Sequence, residues 1–232
     1  MSPRRPDVSV VIPTYQSGRF VAEAIDSALG QDEAPHEVIV VDDGSTDDTP
    51  EVIAAYGSAV IGVRHPENRG VAAARNTGIE TLTGDVVVML DADDRMLPHR
   101  LRVSVDRLLA GGKGVGCVLG QQRIFDGRGE ADLPEWALEV DGATRRYSTS
   151  QVTAWRRTYE QVGGYDEAFD LGDDSDWLLR VRAAGLEVLL LDDVLTERRI
   201  HDTNISEQFA DRSRDEYLRS VRSLIRHRRA GP

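Results

Sequence analysis

The chain has 232 residues, 40% of them hydrophobic, enough to bury the core of one well-packed domain. Its formal net charge of -12 excludes nucleic acid as a partner, because a phosphate backbone needs a basic surface. Cys117 is the only cysteine, so no intrachain disulfide or thiolate metal centre is available, and it reads as a small buried hydrophobe in a strand.

Arg4-Arg5-Pro6-Asp7 leads into the apolar run 8–12, too brief for a signal-peptide core. No apolar stretch is long enough to span a bilayer, and the expected location is the cytoplasm. Run 8–12 reads as a strand buried on both faces. After the loop 13–18, Phe20, Val21, Ala24, Ile25, Ala28 and Leu29 recur at helical spacing. A second strand, 38–41, runs into Asp42-Asp43-Gly44-Ser45-Thr46. Thr49 then reads as an N-cap with Pro50 in the first helical position, and Gly57 ends that helix. A third strand over 60–63, a helix over 71–82 and a strand over 86–90 complete the first half.

Strands separated by helices imply an α/β domain with a mostly parallel, doubly wound sheet and its site at the carboxyl ends of the strands. Tyr15, Asp42, Asp43 and the run Asp91-Ala92-Asp93-Asp94 all follow such ends. Asp91 and Asp93 are two apart, so they point the same way where strand 86–90 stops. Two carboxylates aimed together attract a hard divalent cation, and the cation attracts a diphosphate. The alternative is an acidic turn capping the next helix.

The second half is less regular. A helix near 98–109 leads through Gly111-Gly112-Lys113-Gly114 to a strand near 115–124, then a polar stretch at 126–141 read as a loop or short helical turn. A strand at 151–155, a helical turn around Tyr159, a helix at 174–184 ended by Gly185, and a strand at 187–191 follow. The tail 206–229 reads as a strongly basic helix.

Taken in order, Val10-Val11-Ile12-Pro13-Thr14-Tyr15, Val40-Val41-Asp42-Asp43-Gly44-Ser45-Thr46-Asp47, Asn68-Arg69-Gly70, Ala74-Arg75-Asn76 and Leu90-Asp91-Ala92-Asp93-Asp94 form a set. Gly163-Gly164-Tyr165-Asp166-Glu167, Gly172-Asp173-Asp174-Ser175-Asp176-Trp177 and Arg199-Ile200-His201 extend it. This set resembles the family-2 glycosyltransferases, which have the GT-A fold and use nucleotide-diphosphate sugars. The resemblance runs from Val8 to about Ser206. It implies one GT-A domain over 1–232, with a nucleotide-sugar-binding half at about 7–97, an acceptor-binding half at about 98–205 and a C-terminal basic helix at 206–232.

The resemblance also implies roles. Tyr15 would stack on the donor base beside Pro13 and Thr14, against the alternative of an ordinary loop tyrosine. Asp43 would accept the base's ring N–H, favouring a UDP- or dTDP-sugar, although Asp-Asp-Gly is also a turn signal and Asp42 stays open. Arg75, near a helix start, would support the nucleotide, with a salt bridge to Glu80 as the alternative. Asp91 and Ala92 would lie near the ribose, Asp93 would bind Mn²⁺ or Mg²⁺, and Asp94 would cap the following segment. His201 would reach the metal or the phosphates with Arg199 beside it, and imidazole suits Mn²⁺ better than Mg²⁺.

Asp174 matches the catalytic base of an inverting transfer to an acceptor hydroxyl. A helix N-terminus would lower its pKa while burial among carboxylates would raise it, and the sequence does not decide between them. Asp176 and Arg180 read as a structural ion pair. Asp173 stands where the family usually has Glu, and Gln16 where it usually has Asn. The acceptor's class (glycan, lipid-linked glycan, natural product or protein) is open. The basic tail carries an apolar stripe at Leu218, Val221, Leu224 and Ile225; it packs on the domain, or else rests on an anionic membrane surface. Two other readings stand beside the enzyme: a donor-binding subunit without catalysis, and a haloacid-dehalogenase-type phosphatase. The second needs Thr or Val soon after the second Asp, where Asp94-Arg95 stand here.

Overall fold

A computed structural model describes residues 4–125, 149–169 and 172–201. The first half alternates as expected: β1 (Val8–Thr14), α1 (Val21–Leu29), β2 (Glu37–Asp42), α2 (Thr49–Ala54), β3 (Ile61–Arg64), α3 (Val71–Thr81) and β4 (Val86–Met89). The second half contributes β5 (Arg95–Met96), α4 (Arg100–Gly111), β6 (Val115–Phe125), β7 (Val152–Trp155), α5 (Arg156–Val162), α6 (Asp173–Ala183) and β8 (Glu187–Arg199).

Among the described residues these strands make one sheet in the order β3-β2-β1-β4-β7-β6-β8-β5. The first four are parallel. β7 runs antiparallel to both β4 and β6, while β8 is parallel to β6 and antiparallel to β5. The sheet is therefore parallel where the sequence alternates regularly and mixed beyond β4. The chain steps from β1 out to β2 and β3, then returns to lay β4 on β1's other side. That reversal leaves a crevice outside the carboxyl ends of β1 and β4.

Every residue of β1 is buried, because helices cover both faces of the sheet. Val10 and Ile12 share one core with Ala24 and Ile25 of α1 and Leu101, Val105 and Leu108 of α4. Val11 faces the other core, with Ala72 and Ala74 of α3, Tyr159 of α5 and Trp177 and Val181 of α6. α3 lies so close to β1 that a Cβ on Gly78 would stand 2.2 Å from Val11 Cγ1. This brings the start of α3 over the crevice.

Several boundaries differ from expectation. The strand expected at 187–191 continues beside β6 to Arg199; its later residues mix charged groups with buried ones instead of forming an apolar run. The short β5 has no apolar signal and was not anticipated. Thr49 is the first residue of α2 rather than its cap; its hydroxyl donates to Asp47 Oδ1 at 2.6 Å and accepts the Ser17 N–H at 2.9 Å. Cys117 is buried in β6 as expected. The loop expected at 126–141 and the basic helix at 206–229 lie outside the described residues.

Candidate active site

The crevice is built from loops that follow β1, β2 and β4, the start of α3, the start of α6 and the end of β8. Just beyond β1, Gln16 has φ 51° and ties this loop to the one after β2. Its Oε1 accepts the N–H groups of Thr46 and Asp47 at 2.9 and 3.1 Å, and its own N–H donates to Ser45 Oγ at 2.9 Å. The neighbouring Tyr15 is left 46% exposed, an aromatic face open to solvent beside an otherwise buried strand end. Pro13 and Thr14 are buried in β1 beneath it, and Ala92 is likewise part of the core.

The paired aspartates after β2 serve the loops. Asp42 Oδ1 accepts the Ser45 N–H at 3.0 Å and Oδ2 pairs with Arg64 at 3.2 Å. Asp43 is buried and holds three donors: His65 Nδ1 at 2.6 Å, the Arg69 N–H shared between both oxygens, and the Gly70 N–H at 2.8 Å. His65 Nε2 continues to Thr77 Oγ1 at 2.9 Å. Gly44, at φ 75°, allows this close approach, since a Cβ there would stand 2.6 Å from the Glu67 backbone. Nothing in the sequence singled out His65.

Arg75 is buried and bridges two carboxylates instead of pairing with Glu80. Nη1 donates to Asp173 Oδ2 at 2.6 Å and Nη2 to Asp91 Oδ1 at 3.1 Å, with the guanidinium 5.5 Å from the Tyr165 ring. Burial opposes its charge, but Asp173 and then Asp91 outweigh that and hold its pKa above the ordinary arginine value. The adjacent Asn76 amide is structural, donating to Tyr165 O at 2.9 Å.

Asp174 sits at the start of α6, its Oδ1 accepting the Ser175 N–H at 2.6 Å. Burial and then the charge of Asp173 push its carboxyl up to about 6, against the pull of Arg75 and the Ser175 N–H. Desolvation and like charge therefore outweigh the helix terminus. Asp176 pairs with Arg180 at 2.8 Å, as expected.

In the acidic run, Asp91 and Asp93 are part-exposed, whereas Asp94 is buried and, among the described residues, its side chain does not cap the following helix α4. Asp94 Oδ1 accepts the Arg199 N–H at 3.0 Å. Burial, with Asp93 and Asp91 close by, pushes its carboxyl well above the usual carboxylate range. Arg199 is also buried; its Nε donates to Asp93 O at 3.1 Å and Nη2 to Glu23 Oε2 at 2.6 Å, with Phe20 and Phe125 against its plane. His201 Nε2 stands 3.0 Å from Asp93 Oδ2, and its ring stacks on Phe20 with centroids 4.6 Å apart. The contributions of Phe20 and Glu23 carry no sequence signal.

Asp93 and His201 therefore present an oxygen and a nitrogen to one point at the crevice rim. Among the described residues no group of three or more His, Cys, Asp or Glu side chains could hold a metal ion. Among the described residues this pair is what could meet a cation, which would take its other positions from a ligand's oxygens. A carboxylate with an imidazole suits Mn²⁺. The residues fit a divalent ion.

The curled, mixed α/β sheet with its switch-point crevice is that of the GT-A glycosyltransferases. A mannosyltransferase from Pyrobaculum calidifontis, solved with GDP-Man and Mn²⁺, superimposes with TM-score 0.73 at 24% identity, covering 96% of this chain and 65% of that one. S. aureus TarS 1-349 with UDP-GlcNAc superimposes with TM-score 0.67 at 18% identity over 85% of this chain and 60% of that one. Residues 9–170 match the model described as glycosyl transferase family 2, and the chain belongs to that family.

Among similar proteins, the succinoglycan biosynthesis protein ExoO of Rhizobium meliloti (strain 1021) is 41% identical over 197 residues, which is 78% of this chain. An Escherichia coli chondroitin synthase is 26% identical over 230 residues, 96% of this chain. The chain spans 57% of the length of the first and 33% of the second. Among the described residues no helix is long and apolar enough to cross a membrane.

Proposed function

We propose that this chain is an inverting glycosyltransferase that moves a sugar from a nucleotide-diphosphate donor to an acceptor hydroxyl. The observation that carries the reading is Arg75, which joins Asp91 on one side of the crevice to Asp173, the neighbour of Asp174, on the other. Donor-side and base-side carboxylates are thereby built into one site.

Tyr15 stacks on the donor base at the crevice mouth, above the buried Pro13, Thr14 and Ala92. Asp43 accepts the donor base's ring N–H beside the donors it already holds from His65, Arg69 and Gly70, the Arg69 N–H being shared between both oxygens. That favours a UDP- or dTDP-sugar. Arg75 holds Asp91 toward the ribose, and Arg199 fixes the backbone of Asp93. Asp93 and His201 would hold Mn²⁺ or Mg²⁺, which when bound neutralises charge on the departing diphosphate. Asp174 accepts the acceptor hydroxyl's proton as that oxygen attacks the anomeric carbon opposite the leaving group. A pKa near 6 leaves Asp174 mostly ionised at neutral pH yet basic enough for the task. The relatives named for succinoglycan biosynthesis and chondroitin synthesis make a growing polysaccharide the favoured acceptor.

The test is a thermal-shift series with UDP-, dTDP- and GDP-sugars, each with Mn²⁺ or EDTA, joined to an assay for release of the nucleoside diphosphate. One nucleotide class should stabilise the protein in a metal-dependent way, and Asp174→Asn should keep that shift while losing turnover. No shift with any donor, or full turnover by Asp174→Asn, would overturn the reading.

A further inference from the structure

Arg100, the first residue of α4, is 0% exposed, and among the described residues none of its hydrogen bonds goes to a carboxylate. A guanidinium taken wholly out of water is costly unless its donors are used. Its two Nη groups are used on three strands, while Nε is buried with no partner among the described residues. Nη2 donates to Met89 O at 2.8 Å, at the end of β4, and more weakly to Val152 O of β7 at 3.4 Å. Nη1 donates to Thr196 Oγ1 of β8 at 3.1 Å.

The two strong contacts are the informative ones. Met89 lies four residues before Asp93, on the strand that delivers it. Thr196 lies five residues before His201, on the strand that delivers that residue. A second link returns to the acidic run: the Thr196 hydroxyl donates to Ser150 O at 3.3 Å, and Ser150 Oγ accepts the Asp91 N–H at 2.9 Å. β4 and β8 are not neighbours in the sheet, since β7 and β6 lie between them. The ladder therefore links their ends only through two intervening strands. Arg100 spans that gap with one rigid, planar group.

We propose that Arg100 is a positioning residue for the divalent-cation pair: by tying the end of β4 to β8 it sets the separation of Asp93 and His201. The inference rests on the metal role given to those two residues above. Arg100 touches neither of them and acts through Met89 and Thr196. Its charge adds a field beneath Asp94 and Asp91 but is not the carrier of the effect, since a lysine would supply the same charge without the fork.

The test uses Arg100→Lys and Thr196→Val. The first keeps the charge and loses the planar bridge; the second removes only the hydroxyl that receives Nη1. Mn²⁺ binding is titrated by electron paramagnetic resonance in the presence of UDP or GDP, whichever the wild-type protein binds. Nucleotide binding without metal is measured alongside, and so are the His201 ring ¹⁵N signals of the metal-free protein. Both variants should fold, bind nucleotide alone as the wild type does, bind Mn²⁺ about 10-fold more weakly, and show shifted His201 ring signals. Wild-type Mn²⁺ affinity and unchanged ring signals in folded Thr196→Val and Arg100→Lys would overturn the inference. If Arg100→Lys does not fold, Thr196→Val alone decides by the same readouts. Failure of the wild-type protein to bind Mn²⁺ with either nucleotide would instead remove the metal reading itself, while the His201 signals would still report whether Arg100 sets that ring.

Discussion

Arg75 Nη1 lies 2.6 Å from Asp173 Oδ2, and both side chains are buried although 98 positions separate them. An ion pair out of water is strongly destabilised when one partner is removed, because the other charge is left uncompensated. Asp173→Asn is expected to cost about 3 kcal/mol in urea unfolding at neutral pH. It should also shift the acid limb of turnover to lower pH, since the Asp173 charge helps hold Asp174 up. An unfolding midpoint within error of wild type would refute the pairing's structural weight.

The Asp174 carboxyl, raised to about 6, gives two effects of defined sign. As a base it must be ionised, so turnover should fall about tenfold for each pH unit below 6 and level off above it. For stability the sign reverses. The fold resists ionising this group, so its cost is absent below its ordinary pKa near 3.8, grows up to about 6, and is complete above that. Asp174→Asn should then stabilise the protein by about 1–2 kcal/mol at pH 7.5, after allowing for solvent screening, and by nothing at pH 4. Calorimetry at the two pH values checks this; equal melting shifts at both would contradict it.

Tyr15 is 46% exposed and lies outside both buried cores. Tyr15→Ala should leave the melting temperature of the ligand-free protein unchanged. It should weaken nucleotide binding by about 1–3 kcal/mol, the worth of an aromatic–base stack. Titration calorimetry with the free nucleoside diphosphate separates the two. A lowered ligand-free melting temperature with intact affinity would mean that Tyr15 is a packing residue.

Asp93 and His201 follow the ends of different strands, and an oxygen of the first stands 3.0 Å from a nitrogen of the second. Asp93→Ala should abolish the part of donor binding that EDTA removes, because no third acidic or imidazole ligand stands ready among the described residues. His201→Ala should retain a weaker, still EDTA-sensitive shift, since imidazole is the more replaceable ligand for Mn²⁺ or Mg²⁺. A metal-dependent shift of wild-type size in Asp93→Ala would refute the pair.

The legible parts of this chain were those with a short-range physical pattern. Apolar runs buried on both faces announced β1, β2 and β4, and the alternation with helices announced the parallel half and the crevice at its switch point. The long β8 was hidden because it is only half-buried and carries charges along its length. Around the crevice, Tyr15, Asp91, Asp93 and Asp174 were legible as candidates because each closes a motif. Their partners could not: Glu23 meets Arg199 across 176 positions, and Ser150 meets the Asp91 N–H across 59. Asp173 stands where the family usually has Glu, yet it is the residue that anchors Arg75. Asp94 was expected to cap a segment because acidic turns do so locally, whereas its carboxylate reaches across to the end of β8.

His65 is the remaining residue whose weight the sequence concealed. Its ring spans Asp43 and Thr77, and Asp43 in turn holds the Arg69 and Gly70 N–H groups at the entry to α3. Removing the ring leaves a buried carboxylate short of a donor and a hydroxyl short of a partner, each costing about 1–3 kcal/mol. His65→Ala should therefore destabilise the protein and loosen the 65–70 turn in particular. Amide hydrogen exchange reads this directly: Arg69 and Gly70 should lose protection well beyond the change seen in β1. His65→Asn, whose amide can still donate to Asp43, should recover part of the protection and part of the nucleotide affinity. Exchange that rises evenly across the fold in His65→Ala would show that His65 supports the core as a whole and has no special hold on the turn.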